Sequence, residues 1–317
     1  MGVDIGCGMV AVRTSLTDID TPILKKILGS IREAIPVGFS HYKERQDEKF
    51  MPELKPGKVA EKEYKSALKQ IGTLGGGNHF IEIQKGDDKH IWIMVHSGSR
   101  NIGYRMANHY NDVAKRSREK FGSLVPEKCD LDFLPLDSQE ANDYLAEMNF
   151  CLEFARCSRY LMLKRVCEIM EGRFPDINYE KEINIHHNYA SPEKHYGKEV
   201  MIHRKGATSA RKGQLGIVPG SQGTRSYIVK GLGNPESFES CAHGAGRKMS
   251  RGRARRELSL EEEQRKLDEK GIRHGIRGVR DLDEASSAYK DIDEVMEAQK
   301  NLVEIVTTLE PLAVVKG

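Results

Sequence analysis

Several things are missing from this sequence, and each absence narrows what the chain can be. No apolar run approaches the ~18–20 residues that a membrane-spanning helix requires, so no segment is expected to cross a bilayer. The opening MGVDIGCGMV has no basic stretch leading into an apolar core, so no secretory signal is expected. The six cysteines (Cys7, Cys129, Cys151, Cys157, Cys167 and Cys241) form no C-x-x-C pair. Reduced thiols in a cytoplasmic protein follow as the expectation, most of them core residues and any exceptional one a metal ligand or reactive group. No G-x-x-x-x-G-K-[ST] occurs, which excludes a P-loop NTPase. Nor does the K-x-D-G of lysine-based nucleotidyltransferases, so a nucleotide enzyme built on this chain needs a different nucleophile. Repeats, low-complexity linkers and sharp composition boundaries are absent too, and the expectation is one domain spanning residues 1–317.

What is present suits a folded protein with a sizeable core: 317 residues, 38% hydrophobic and 31% charged. The net charge of +3 is too small to identify a nucleic-acid partner, and the distribution of charge says more. Residues 3–14 read as a glycine-interrupted strand. Asp20-Thr21-Pro22 starts a helix that Pro36 stops, and a charged loop is expected over 41–65. Strands are expected at 79–84 and 90–96, then at 182–187, 199–203, 215–218 and 227–229. Between them, 139–174 is mainly helical, with Tyr144, Met148, Leu152 and Ala155 on one stripe that Val166, Ile169 and Met170 resume. Ser259 and Glu262 form a capping-box signature for a helix ending at Gly271. A last helix is expected over 292–309, with Pro311 ending it and 312–315 a short terminal strand. Strands and helices do not alternate regularly, so an α+β fold is favoured over a doubly wound sheet.

Two constellations carry chemistry. Asp4 and Cys7 stand three residues apart on a glycine-bent strand, close enough for carboxylate and thiolate to converge on one metal or bridge two. His79, His96 and His187 each fall at a strand–loop junction, where side chains from separate strands can meet at one sheet edge. One thiolate, one carboxylate and three imidazoles suit zinc, manganese, iron or cobalt alike. The second constellation is C-A-H-G-A-G-R, residues 241–247, in which His243 precedes glycines that let backbone approach a ligand closely. Such loops cradle phosphates, and a neutral imidazole can attack one. Residues 219–224, P-G-S-Q-G-T, form another phosphate-loop candidate.

G-V-D-I-G-C-G, G-T-L-G-G-G-N-H-F-I-E, V-H-S-G-S-R, H-H-N-Y, H-R-K-G-A-T, P-G-S-x-G-T, H-G-A-G-R and the terminal K-G occur in the order seen in RtcB-type RNA ligases. The chain resembles that family over essentially its whole length. The resemblance implies a single mixed-sheet RtcB-like domain with helical insertions, and two manganese ions bridged by Cys7. Asp4 and His79 would complete the ligands of one ion, His96 and His187 those of the other. His243 would be the nucleophile that takes GMP from GTP. The nucleotide pocket would comprise Asn78, Glu82, Asn188, Pro219, Gly220, Ser221, Gln222, Ser226, Gly244, Ala245, Gly246, Tyr289 and Lys316, with Tyr289 stacking on guanine. The implied reaction joins RNA ending in a 2′,3′-cyclic phosphate or 3′-phosphate to RNA bearing a 5′-hydroxyl, as in tRNA splicing or RNA repair. Three departures stand out: this chain begins directly at the G-V-D-I-G-C-G strand, where family members carry a preceding segment. Gln222 replaces a common Met, and Ser286 a frequent Pro.

Arg247, Lys248, Arg251, Arg253, Arg255 and Arg256 place six cations in ten residues directly after His243. A run like this is usually a solvated face. Beside a nucleotidylated histidine it would also serve RNA phosphates, with Arg204, Lys205, Arg211 and Lys212 adding to the same surface. Two other classes fit parts of the pattern: a metal-dependent phosphodiesterase or phosphatase using the same metal cluster, and an inactive RNA-binding relative.

Overall fold

The computed structural model describes residues 4–54, 57–118, 120, 126, 129 and 131–317; Val3 of the first expected strand and two positions of the expected 41–65 loop lie outside them. In chain order the elements are β1 (Gly8–Arg13), α1 (Thr21–Ala34), α2 (Ala60–Gln70), β2 (Phe80–Gly86), β3 (Ile91–Ser97), α3 (Arg100–Arg116) and α4 (Gln139–Glu171). There follow β4 (Ile183–His186), β5 (Asn188–His195), β6 (Lys198–Lys205), β7 (Ala207–Ser209), β8 (Leu215–Val218), β9 (Ser226–Gly231) and β10 (Ser240–Ala242). The last are α5 (Arg251–Glu257), α6 (Leu260–Glu269), α7 (Ile292–Ala298) and β11 (Val303–Lys316). This is an α+β architecture, as expected.

A seven-stranded sheet in the order β4-β1-β3-β2-β11-β9-β8 forms the centre, and every neighbouring pair in it is antiparallel. Alternation along each strand splits its side chains between two cores. Val10 and Val12 of β1 join Ile81, Ile83, Ile93 and Val95 against the apolar faces of α1 and α4. Met9 and Ala11 turn the other way and meet Met94, Ile185, Ile217 and Ile228, because the sheet curls until β8 packs against β4 and β1. A third core packs α2 and α3 on the N-terminal half of α4 and includes Ile5. That residue anchors the turn ahead of β1.

The register sets up the site. Met9 lies opposite His96, His96 opposite Phe80, and Gly8 opposite both Ser97 and His186. Cys7, His79, His96 and His187 therefore fall at one end of adjacent strands.

Two expectations need correction. The helix expected over 292–309 stops at Ala298, and 303–316 is one long strand in which Pro311 sits at a register shift. Val303, Ile305, Val306, Thr307 and Thr308 are β-branched, and burial from Thr307 onward follows period two, not the helical period. Pro311 is tolerated there because a bulge relieves the strand of one ladder donor. The loop expected over 41–65 gives way to α2 at Ala60, whose buried stripe Ala60, Ala67 and Leu68 the surrounding charges masked. Elsewhere Ser259 caps α6 by accepting from Glu262 N, Gly271 follows that helix with a left-handed φ of 69°, and Cys151 is core.

Candidate metal and nucleotide site

Asp4 and Cys7 occupy a tight turn closed by a Cys7 N–H bond to the Asp4 carbonyl. Gly6 takes φ 76° within it and lies against Ala155 and the Cys151 carbonyl of α4, where a β-carbon would meet atoms about 3 Å away. The turn is stitched to the β4–β5 junction: Gly6 N donates to Asn188 O, His187 N to Cys7 O, and Asn188 Nδ2 to Asp4 O. Gly98 passes so close to Asp4 that a β-carbon would stand 2.1 Å from Oδ1.

All five expected donors converge. Cys7 Sγ lies 3.5 Å from His79 Nε2 and 3.3 Å from His96 Nε2. His79 Nε2 is 3.0 Å from Asp4 Oδ2, and His96 Nε2 is 3.2 Å from His187 Nε2. They form two overlapping trios, Asp4–Cys7–His79 and Cys7–His96–His187, that share the sulfur. The imidazoles run edge to face from His79 to His96 to His187 and on to His243, whose ring centroid is 4.9 Å from that of His187.

The proton positions test whether these residues fit a metal. His79 Nδ1 bonds the Leu74 carbonyl and His96 Nδ1 the Asn78 carbonyl, both at 3.0 Å. A carbonyl only accepts, so each ring carries its proton on Nδ1 and turns Nε2 toward the cluster. Asp4 Oδ2 and His79 Nε2 then need a second proton or a cation between them, and His96 Nε2 turns a lone pair toward His187 Nε2, whose ring Nδ1 has no hydrogen-bond partner among the described residues. Burial, reinforced by the neighbouring imidazoles, holds His96 and His187 well below the usual imidazole range, so both rings stay neutral and each keeps a lone pair to offer a cation. Burial raises the Cys7 thiol, with Asp4 adding to it. For Asp4, burial is outweighed by His79 and Arg100, which keep the carboxyl low. Soft sulfur, imidazole nitrogen and carboxylate oxygen, desolvated and aimed at common points, fit divalent transition-metal ions.

Beside His243 opens a pocket with charged and amide side chains in its wall. Asn78, Glu82, Pro219, Gly220, Ser221, Gln222, Gly244, Ala245, Gly246, Tyr289 and Lys316 all line it. The two glycine loops brace each other, Ala245 N donating to Pro219 O, while Gly246 adopts φ 71°. Burial pushes the Glu82 carboxyl up to about 8 and the Lys316 ammonium down to about 8.

Some expected residues lie elsewhere. Ser226 sits behind the wall, accepting from Gln84 Nε2 and Gly220 N, and Asn188 lies under the metal turn. Of the basic run over 247–256, Arg247 and Arg251 line the pocket. Arg253 pairs with Glu257, and Lys248 borders a separate cavity beyond Tyr289. Arg204 is not on the surface at all: the β5–β6 hairpin buries it in an ion pair with Glu193.

Sequence reasoning missed Glu284. Only 3% exposed, its carboxylate accepts from Arg247 Nη1 at 3.1 Å, Arg251 Nε at 2.8 Å and the Tyr289 hydroxyl. Arg247 also lies over the Tyr289 ring, 4.9 Å from its centroid. The signal available was an acid five residues before Tyr289, facing a basic run that needed a counter-charge. Phe80 and Arg159, also missed, belong to the pocket wall and to the support of the cluster.

These features define the class: an antiparallel α+β protein whose candidate metal cluster opens onto a glycine-looped pocket. Comparison with known proteins narrows it. A family model described as tRNA-splicing ligase RtcB matches residues 41–317. The RNA-splicing ligase RtcB of Escherichia coli K12 is 40% identical over 341 aligned positions, which take in 100% of this chain and 83% of that protein. The tRNA-splicing ligases RtcB of Archaeoglobus fulgidus and Thermococcus kodakarensis are 30% and 29% identical, each over 100% of this chain and 81% of theirs. The chain belongs to the RtcB family.

Proposed function

We propose that this protein is a GTP- and manganese-dependent RNA ligase acting as one catalytic domain over residues 1–317. It would join RNA 2′,3′-cyclic phosphate or 3′-phosphate ends to 5′-hydroxyl ends in tRNA splicing or RNA repair, like relatives named as RNA- and tRNA-splicing ligases. The observation that carries this reading is the place of His243, which lines the pocket and touches the last imidazole of the donor cluster. Burial keeps its ring below the usual imidazole range, against a hydrogen bond with the Gly206 backbone, so at neutral pH it is uncharged and able to act as a nucleophile.

In this reading Asp4, Cys7 and His79 hold one manganese ion and Cys7, His96 and His187 the other. Bound there, the ions would offset phosphate charge and polarise the attacked phosphorus. The pocket takes GTP, with Tyr289 facing the base and the 219–224 and 244–246 loops around the phosphates. His243 nitrogen forms a bond to the α-phosphorus as the bond to the β-phosphate oxygen breaks, and pyrophosphate leaves. The guanylyl group then passes from His243 to an oxygen of the RNA 3′-phosphate. The 5′-hydroxyl oxygen attacks that phosphorus, losing its proton, and GMP departs. Arg251, with its outer part in solvent, is placed to meet RNA phosphates. A reducing cytoplasm is the proposed location, since all six cysteines are free, and no helix among the described residues is long and apolar enough to cross a membrane.

The test is incubation with α-labelled GTP and manganese, followed by denaturing electrophoresis. An acid-labile, alkali-stable adduct is expected, lost in His243→Ala while metal content is retained. Undiminished labelling of His243→Ala would refute the nucleophile, and metal-loaded protein that never labels would favour the phosphodiesterase alternative.

A further inference from the structure

The middle of α4 carries a charged residue on its apolar stripe. Arg159 follows Cys151 and Ala155 at four-residue spacing and is 0% exposed. The chain's other large buried cation, Arg204, has Glu193 as its counter-ion. Arg159 has no carboxylate within ion-pair distance among the described residues. All five of its donors are nevertheless used. Nε and Nη2 reach Asn184 Oδ1 at 3.0 and 2.8 Å, and Nη1 reaches Gly6 O at 2.9 Å and Ser97 O at 3.0 Å. The remaining Nη2 proton goes to His186 Nδ1 at 3.2 Å. The Gly6 carbonyl lies 3.2 Å from the same Nδ1, so the imidazole is drawn to the turn as well.

Those acceptors lie on three separate segments, and each adjoins a donor of the cluster. Gly6 is the residue before Cys7, Ser97 the residue after His96, and Asn184 and His186 lead β4 into His187. One planar fork thus ties together the turn, β3 and β4 at the positions from which Cys7, His96 and His187 project. We infer that Arg159 is the positioning residue of the cluster, setting the spacing of its thiol and imidazole donors from the helix behind the sheet. The inference rests on the metal reading above. Lysine cannot replace arginine in this role, because a single ammonium has no rigid fork with which to span three segments.

The test compares the full-length wild type, Arg159→Lys and Asn184→Ala, each stripped of metal. Manganese affinity is read by calorimetry, cobalt binding by the thiolate-to-cobalt absorption band, and fold by the melting temperature of the metal-free chain. The expected result for Arg159→Lys is manganese affinity weaker by about 10–100-fold, the range usual for residues that orient metal ligands. Its cobalt band should be shifted or lost while the metal-free protein still melts cooperatively. A folded Arg159→Lys that binds manganese within twofold of wild type and keeps the cobalt band overturns the inference. If Arg159→Lys does not fold, Asn184→Ala decides, since it leaves the arginine and removes the acceptor of two of its five bonds. Weakening of threefold or more supports the positioning role, and wild-type affinity overturns it. A wild-type chain that takes up no manganese refutes the metal reading itself, and this inference with it.

Discussion

Gly98→Ala isolates the Asp4 carboxylate from the rest of the fold. Gly98 is not in the left-handed region, so its backbone accepts alanine, and the one obstacle is what the new methyl meets: Asp4 Oδ1 at 2.1 Å and Oδ2 at 2.5 Å. Real β-carbons essentially never come closer than 3.0 Å, so the carboxylate must retreat by about 0.9 Å. Oδ2, which makes the 3.0 Å contact with His79 Nε2, must itself shift by about 0.5 Å, so that contact is disturbed. The movement also takes the oxygen off the point that Cys7 and His79 share. Asp4 is 35% exposed and can swing into solvent, so the fold should survive with melting changed little. Losing one charge-assisted contact is worth about 1.5–3 kcal/mol when buried. Partial exposure favours the lower half of that range, an affinity loss of roughly ten- to fiftyfold. Manganese titration calorimetry on the metal-free variant reads this directly, beside its thermal melt. A folded Gly98→Ala that binds manganese as tightly as wild type would show that Asp4 is no ligand.

Gly29→Ala is the matching control: it lies in α1 with nothing within 4 Å of a new β-carbon, so denaturant melts should show a gain of about 0.5–1 kcal/mol. Unchanged or lower stability would mean that the helix is not packed as described. Glu82 supplies a pH dependence. Its folded-state value near 8 lies above the ordinary 4.5, so between those values the unfolded chain gives up a proton that the folded chain retains. Stability contributed by the protonated carboxyl is therefore present below about 4.5 and lost as pH rises toward 8. The melting temperature of wild type relative to Glu82→Gln should fall as pH is raised from about 5 to 8. Parallel curves would refute the buried carboxyl. Lys316, titrating near 8, adds little slope below that pH, because both its states are protonated there.

How much of this was legible depended on whether one sequence period was enough. The strands beginning beside His79 and ending at His96 are short, largely apolar runs bounded by glycine turns, so their junctions, where histidines can converge, could be read in advance. The Val303–Lys316 strand could not, because Val295, Met296, Leu302, Val303 and Val306 also satisfy helical spacing. Only pairing with β2 and β9 decides between the two. Likewise α3 reads as polar, with Ile102, Met106, Tyr110 and Ala114 as its thin buried stripe. The burial of Arg204 needed the hairpin register that puts Glu193 on the same face as it, and the support given by Arg159 needed the turn before β1, β3 and β4 to be in position. Local pattern locates donors; what holds them is a long-range matter.

The groups that meet around the Cys7 sulfur are 72 and 89 positions from it along the chain, and His96 and His187 are 91 apart. Bringing such distant points together closes several large loops, each at a cost in chain entropy that no local segment can repay. The full donor set therefore requires the β1 turn, the β2 and β3 ends and the β4–β5 junction to be in place together. An ion held there would act as a cross-link among strands far apart in sequence, resisting unfolding by mass action. Its release would report global opening of the protein, so metal retention and resistance to proteolysis should rise and fall together.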